Sequence, residues 1–267
     1  MYDKRIDIGR FYEGLDIMFN RKNKMETMSY MESWLREAEG MGDLEGIVAV
    51  CNELGGLCRA IGENERAKEL YDRVLTGLTE LGLDKTEHYA TALINAGDVY
   101  VYTFEYEKAL ECFMAARTIL IDCGMSGDYR MAALCNNISM VYRNTSRYDK
   151  AEEALDISFN IIKGLPDCRG ELATTYVNLG ELQVKQNKLE MAGLSFEEAC
   201  RIYEEDGGMN PHYSSAFAGL GNVYYLKGQR TLAIECYQKA LKLIERDFGR
   251  TDYYRMVEKN LLKAKGF

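Results

Sequence analysis

A helical pattern that recurs every 41 or 42 residues is the feature that most constrains the fold of this chain. A small residue, an alanine twelve positions later and a bulky residue four positions after that alanine occur together five times. The three series are Gly55, Gly97, Ser139, Gly180 and Gly221; Ala67, Ala109, Ala151, Ala192 and Ala233; and Tyr71, Phe113, Leu155, Phe196 and Tyr237. Because all three share one period, the sequence predicts a tandem array of one structural unit.

Each unit is predicted to contain two amphipathic helices, as the second unit illustrates. Its first helix is predicted over about 89–102 and its second over about 106–121, with TFEY between them. Leu93, Gly97 and Tyr100 lie on one face of the first helix. Glycine costs roughly 0.5–1 kcal/mol against alanine inside a helix. Its recurrence therefore predicts a close crossing of the two helices, with the alanine of the second helix in the facing notch.

The array divides the chain into five units between two end segments that depart from the pattern, as capping units do. The predicted segments are 1–42 for N-terminal capping helices, 43–250 for the five units and 251–267 for a C-terminal capping helix. Within the array the units cover about 43–84, 85–126, 127–167, 168–208 and 209–250. With only two prolines in 267 residues, long helices can run almost uninterrupted.

Composition and charge exclude several classes of protein. Hydrophobic residues make up 47% of the chain and charged residues 28%, which is typical of a folded globular protein. The net charge of −9 argues against nucleic-acid binding, which needs a basic surface. No apolar run approaches the ~18 residues of a membrane span, and the charged start lacks a signal-peptide core. The sequence therefore predicts a cytoplasmic protein with no nucleic-acid or membrane partner.

The sequence offers no motif for catalysis or for a cofactor. Its eight cysteines include no C-x-x-C pair, and most lie in apolar helical stripes, where a free thiol behaves as a small hydrophobe. No H-E-x-x-H, G-x-S-x-G or phosphate-binding glycine motif occurs. We therefore expect no enzyme activity, no catalytic residue, no metal site and no cofactor.

The repeated L-G-x-x-Y followed by A-x-x-x-F/Y-x-x-A resembles the tetratricopeptide repeat from about Leu44 to Leu262. The 41–42-residue period resembles the long-repeat branch typified by kinesin light chains, and LCNNISMVY is similar to that branch's L-N-N-L-A-x-L-Y. Ser139, Gln183 and Cys58 depart mildly from the motif. The resemblance implies an all-α, right-handed α-solenoid of antiparallel helix pairs. It also implies that the first helices line a concave groove that binds an extended peptide or a helix of another protein.

The side of each first helix opposite its packing stripe is the predicted groove face. With flanking positions included, the predicted peptide-binding residues are Asn52, Arg59, Asn95, Asp98, Tyr102, Asn136, Asn137, Met140, Arg143, Asn144, Asn178, Glu181, Lys185, Asn222 and Tyr225. Asparagines recur on this face in four consecutive units, and their amides can pair with the backbone of an extended ligand. Alternatively, these amides bond neighbouring helices or face water.

Three functions remain open at the level of sequence. The first is a non-catalytic scaffold that accepts a protein or extended peptide in the groove. The second is an intracellular receptor for a short signalling peptide, and the third is self-association into a homo-oligomer through the array ends. A carboxylate clamp for acidic C-termini is disfavoured, because lysine is absent from the expected clamp positions. Those positions hold Ile94, Ala133, Asn136 and Val177.

Overall fold

The computed structural model describes residues 5–21 and 23–267, and their regular secondary structure is entirely α-helical. The described residues form an all-α helical repeat array, as the sequence predicted. The chain divides into two compact units. Unit 1 ends at Ser126, and unit 2 begins at Gly127.

Unit 1 contains six helices in its described part. They are α1 (Ile8–Asn20), α2 (Lys24–Met41), α3 (Leu44–Ile61), α4 (Asn64–Glu80), α5 (Glu87–Tyr102) and α6 (Tyr106–Asp122). Consecutive helices pack against each other, and the first helices α3 and α5 also touch. The core lies between the helices, where Phe11, Met31, Leu54 and Tyr71 are almost completely buried.

Unit 2 contains seven helices. They are α7 (Tyr129–Asn144), α8 (Tyr148–Ile162), α9 (Arg169–Lys185), α10 (Leu189–Glu205), α11 (Tyr213–Leu226), α12 (Arg230–Phe248) and α13 (Asp252–Lys265). Consecutive helices again pack together, while α7, α9, α11 and α13 each touch the next of these four. Phe196, Tyr203, Tyr237 and Ile244 lie at the centre of the main apolar cluster. The first helices of unit 2 are therefore direct neighbours.

An aromatic ring of the second helix lies against the small residue of the first helix in four hairpins. A β-carbon at Gly97 would lie 2.4 Å from Phe113 Cε1, and one at Gly221 would lie 2.7 Å from Tyr237 Cδ1. The alanine predicted to fill this notch is instead one turn away from the ring. In the third unit, Ser139 replaces the glycine and Leu155 replaces the aromatic residue. Serine is larger than glycine, and it faces a side chain that is smaller than an aromatic ring.

The turn between the two helices of each hairpin recurs in backbone conformation rather than in residue type. One residue in each turn has a left-handed φ, and these residues keep the spacings of 42, 42, 41 and 41. They are Gly62, Phe104, Ser146, Asn187 and Gly228. In each turn the next residue's N–H donates to a carbonyl oxygen five residues back, as in Glu105 N to Tyr100 O at 2.8 Å. Phe104 adopts this conformation at φ 61° with its side chain 76% exposed.

We expect the Gly97→Ala variant to lower the free energy of unfolding by about 1–3 kcal/mol, because the new methyl group overlaps the buried Phe113 ring. Urea unfolding followed by circular dichroism measures the change. The matched control is Gly40→Ala near the end of α2, where a β-carbon meets nothing within 4 Å. That control should be neutral or more stable by up to about 1 kcal/mol. Equal stability of Gly97→Ala and wild type would contradict the packing argument.

Candidate functional site

Polar side chains predicted to face a ligand instead join α3 and α5 on the first-helix surface of unit 1. Asn95 Nδ2 donates to Asn52 Oδ1 at 3.4 Å, and Asn52 Nδ2 donates to Glu53 Oε1 at 3.2 Å. Arg59 Nη1 lies 3.1 Å from Asp98 Oδ2. Four of the predicted site residues are thus brought together in unit 1, but as partners of one another. Tyr102, at the end of α5, remains 61% exposed.

Asp98 is an unusual carboxyl because most of its surface is withdrawn from water. Its side chain is 17% exposed, and that of Arg59 is 31% exposed. Burial raises the pKa of Asp98 to about 6, although the neighbouring Arg59 guanidinium acts in the opposite direction. The buried Arg59 Nε has no hydrogen-bond partner among the described residues. The desolvation of this carboxyl therefore outweighs its ion pair.

An equivalent ion pair joins α7 to α9 in unit 2. Arg143 Nη1 lies 2.5 Å from Glu181 Oε2, with the two side chains 9% and 40% exposed. Arg59 and Arg143 both stand four residues after the small residue of their helix, and Asp98 and Glu181 both stand one residue after it. The same register therefore produces the same cross-helix pair in both units. Arg143 was expected to face a ligand, and its burial against Glu181 corrects that expectation.

Asn136 also departs from the predicted groove face. It is only 4% exposed, and its Nδ2 donates to Thr175 Oγ1 on α9 at 3.0 Å. Thr175 in turn donates to Glu171 O at 2.9 Å and lies 3.2 Å from Ser158 Oγ. The amide is held between helices because Thr175 supplies a buried acceptor opposite it. Asn136 is therefore a packing residue, inaccessible to a groove ligand.

The remaining predicted residues of unit 2 keep access to solvent. Asn144 and Lys185 are exposed, while the others are half-buried: Asn137, Met140, Asn178, Asn222 and Tyr225. Asn178 on α9 and Asn222 on the neighbouring α11 are two of these half-buried amides. Neither amide makes a side-chain hydrogen bond to any residue in 5–21 or 23–267. These two amides are therefore open to solvent and are not engaged by another described residue.

The four predicted asparagines do not all occupy the same position relative to the small residue of their helix. Asn95, Asn137 and Asn178 stand two residues before the small residue, whereas Asn222 stands one residue after it. The fifth unit has Gly219 at the row position, where a β-carbon would lie 2.3 Å from Phe196 Cε1. Because this ring occupies the space, no asparagine fits there.

An asparagine occurs again at this position of the repeat on α13, where Asn260 stands 41 residues after Gly219. Asn260 is half-buried, and the buried Tyr254 and Leu261 on α13 match Tyr213 and Leu220 on α11 at the same spacing. Sequence reasoning missed Asn260 because α13 was treated only as a cap. Continuing the 41-residue count by one more step would have found it.

Two further residues contribute to the first-helix surface of unit 2 without having been predicted. Tyr253 Oη donates to Ser215 Oγ at 3.4 Å, linking α13 to α11. Burial raises the pKa of Tyr253 to about 12, the Ser215 hydrogen bond lowers it, and the negative charge of Glu181 raises it further. The negative charge of Glu181 on α9 therefore acts on the hydroxyl of Tyr253 on α13. No motif in the sequence marks this contact, which depends on how the three helices pack.

The described residues contain no group of three metal-ligating side chains and no helix long and apolar enough to cross a membrane. The eight cysteines are free thiols, of which Cys51, Cys58, Cys135 and Cys200 are buried. Cys123 is exposed, so it departs from the core position expected for most of these thiols.

Family models place this architecture in a known class. Models described as tetratricopeptide repeat match residues 47–122, 129–205 and 214–247, which together are more than half of the chain. The chain therefore belongs to the tetratricopeptide repeat family. The family assignment agrees with the repeat motif and the helix pairs described above.

The chain is also similar to parts of longer proteins. It is 26% identical to human protein O-mannosyl-transferase TMTC1 over 223 residues, which are 74% of this chain and 23% of that protein. It is 26% identical to kinesin light chain-related 2 of Arabidopsis thaliana over 195 residues, 70% of this chain and 28% of that protein. The chain thus spans about a quarter of the length of these relatives. The expected similarity to kinesin light chain repeats is confirmed.

Three solved structures share the fold. BtubC from P. vanneervenii has a TM-score of 0.65 at 22% identity, covering 82% of this chain and 90% of that one. NprR in complex with its cognate peptide NprX has a TM-score of 0.77 at 13% identity, covering 99% and 75%. A Rap protein complexed with competence and sporulation factor has a TM-score of 0.77 at 16% identity, covering 98% and 75%. At these identities the likeness shows the fold alone.

We expect Asp98→Asn to remove one pH-dependent contribution to stability. The folded pKa of about 6 exceeds the unfolded value of 3.8, so the folded state binds the proton more tightly. Its stabilising effect is present below pH 3.8 and is lost as the pH rises through 6. Relative to Asp98→Asn, the wild-type free energy of unfolding should fall across this window by at most about 3 kcal/mol.

Urea titrations at several pH values measure this difference. In Arg59→Gln the positive charge that lowers the pKa of Asp98 is absent. The free energy of unfolding should therefore fall at a higher pH than in the wild type. Parallel pH profiles for wild type and Asp98→Asn would show that burial of this carboxyl has no energetic consequence.

Proposed function

We propose that this chain is a non-catalytic module that binds an extended peptide segment on the first-helix surface of unit 2. The observation that carries the proposal is the pair of half-buried amides, Asn178 on α9 and Asn222 on α11. Neither side chain makes a hydrogen bond within residues 5–21 and 23–267. Both amides are half-buried and reach solvent, so a ligand can hydrogen-bond to them in place of water without breaking a hydrogen bond within the described protein.

Extended backbone is the ligand that these amides match best. Each amide offers a donor and an acceptor, as each ligand residue does along its main chain. Packed helices lie roughly 8–10 Å apart, which equals about three residues of extended chain at 3.3 Å per residue. A peptide that crosses α9 and α11 can therefore meet one amide and then the other. Met140 on α7 and Tyr225 on α11, both half-buried, supply apolar surface on the first helices of unit 2.

Unit 1 is a weaker candidate for the same role because its amides already pair with each other. Asn95 donates to Asn52, and Asn52 donates to Glu53. A ligand would have to break these bonds to replace them, which reduces the net gain. The proposal therefore assigns the peptide to unit 2.

Several further observations support a peptide ligand and a non-catalytic role. Among the solved structures that share the fold, NprR is in complex with its cognate peptide NprX, and a Rap protein is complexed with competence and sporulation factor. The net charge of −9 favours a protein ligand over a nucleic acid. Burial raises the pKa of Cys51 to about 11 and that of Cys200 to about 12, so these thiols stay protonated and are poor nucleophiles.

The test begins with a phage-displayed library of random peptides about ten residues long, which span about 33 Å when extended. A selected peptide is synthesised, and its affinity is measured by isothermal titration calorimetry. In Asn178→Ala/Asn222→Ala the affinity should fall about 10- to 100-fold, because each lost amide contributes about 1 kcal/mol or more. Asn160→Ala, an exposed asparagine on the second helix α8, is the matched control and should bind as wild type does.

Two results would refute the proposal. One is a library that yields no peptide with measurable affinity for the folded chain. The other is a selected peptide that binds the double variant and the wild type equally well, which would place its site elsewhere. Far-ultraviolet circular dichroism of each variant confirms that the helices are intact.

A further inference from the structure

A cleft between α1 and α2 lies outside the surface assigned above. It has a volume of about 560 Å³, within the range of small-molecule and side-chain sites. Its lining comes from one stripe of each helix, including Arg10, Glu13 and Ile17 on α1. Tyr30 and Trp34 line it from α2. The cleft therefore combines charged groups with an aromatic wall.

Tyr30 holds the two helices at the spacing that opens this cleft. Its hydroxyl donates to the carbonyl oxygen of Phe11 at 2.9 Å, and its ring stacks on the Phe11 ring with centroids 6.1 Å apart. A β-carbon at Gly14 would lie 2.0 Å from Tyr30 Oη, so only glycine leaves room for this ring against α1. Trp34 meets the Tyr30 ring edge-on, with centroids 6.2 Å apart. The aromatic wall is thus preformed.

The charges of the cleft lack partners within the described protein. Glu13 and Glu37 line the cleft and form no ion pair there, whereas Glu32 and Glu39 on another side of α2 are paired with Arg66 and Arg73 on α4. Among the described residues of the lining, Arg10 is the one that is cationic. Two carboxylates against one guanidinium leave the lining net negative beside two aromatic rings. A cation that reaches this wall would gain from both.

Tyr30 also lines a second cavity of about 440 Å³. Met18 and Met25 line it, and Met25 is 73% exposed. Arg21 and Glu26, also in its lining, approach each other at 3.8 Å and so offset each other's charge. The two cavities together offer an acidic, aromatic compartment and an apolar compartment that share one tyrosine.

We infer that the α1–α2 cleft binds a segment of another protein that carries an arginine or lysine about three residues from an apolar residue. The basic side chain lies between Glu13 and Glu37 with its cation against Trp34. The apolar side chain enters the compartment of Met18 and Met25. Charge complementarity selects this occupant, because an acidic segment would meet two carboxylates that already lack partners.

Trp34 provides a direct readout, since it is the only tryptophan in the chain. The probe is the peptide acetyl-Leu-Ala-Ala-Arg-amide, compared with versions in which glutamine or glutamate replaces arginine. The arginine peptide should produce a saturable change in Trp34 fluorescence. The dissociation constant of the glutamine peptide should be roughly three- to tenfold higher, as expected for two partly exposed ion pairs. The glutamate peptide should bind more weakly still.

In Glu13→Gln/Glu37→Gln the preference for arginine over glutamine should disappear. Asp16→Asn removes an exposed carboxylate of α1 that does not line the cleft, so this matched control should keep the preference. Met25→Ala should weaken the arginine and glutamine peptides by the same factor. Circular dichroism of each variant verifies that α1 and α2 remain folded.

Three outcomes would overturn the inference: equal binding of the three peptides, a preference that survives in the double variant, or no change in Trp34 fluorescence. Asn178→Ala/Asn222→Ala should leave the fluorescence response intact, because both asparagines belong to unit 2. The cleft and the peptide-binding surface can therefore fail independently.

Discussion

The contact between a glycine and a buried aromatic ring, found in four of the five hairpins, is the interaction on which the other features depend. Where Gly97 meets Phe113, no side chain can be added without overlap, so the two helices are fixed in separation and in rotation about their axes. Once rotation is fixed, a first helix directs one side toward its hairpin partner and, within each unit, another side toward the neighbouring first helix. The position of each residue in the repeat then decides which of these sides it occupies.

Neighbouring first helices use much of their polar surface on each other. The Arg59–Asp98 and Arg143–Glu181 pairs occur at the same register in both units, so they are a property of the repeat. Each pair joins two helices and removes two charges from the set available to a ligand. In the Asp98 pair, desolvation of the carboxyl outweighs the attraction of the guanidinium. What remains accessible in unit 2 is dominated by neutral amides.

Residues at the same position in two repeats have different environments, because the residues opposite them on the adjacent helix differ. Asn52 and Asn136 both stand three residues before the small residue of their helix. Asn52 is half-buried and accepts from Asn95, whereas Asn136 is sealed against Thr175. A helical wheel assigns both to one side of a helix but does not contain the neighbouring helix. The side of each first helix could therefore be predicted, and the accessibility of each residue on it could not.

The sequence by itself determined the all-α class, the helix pairs and their 41–42-residue period, because those depend on local periodicity and on a small residue at each crossing. Tertiary structure decided which polar groups are already satisfied, since that depends on contacts between residues about 40 positions apart in the chain. It also decided that Tyr30, placed against Gly14, opens a cleft between α1 and α2. No periodic pattern encodes such a contact, because its energy comes from the fit of two particular side chains across a helix interface.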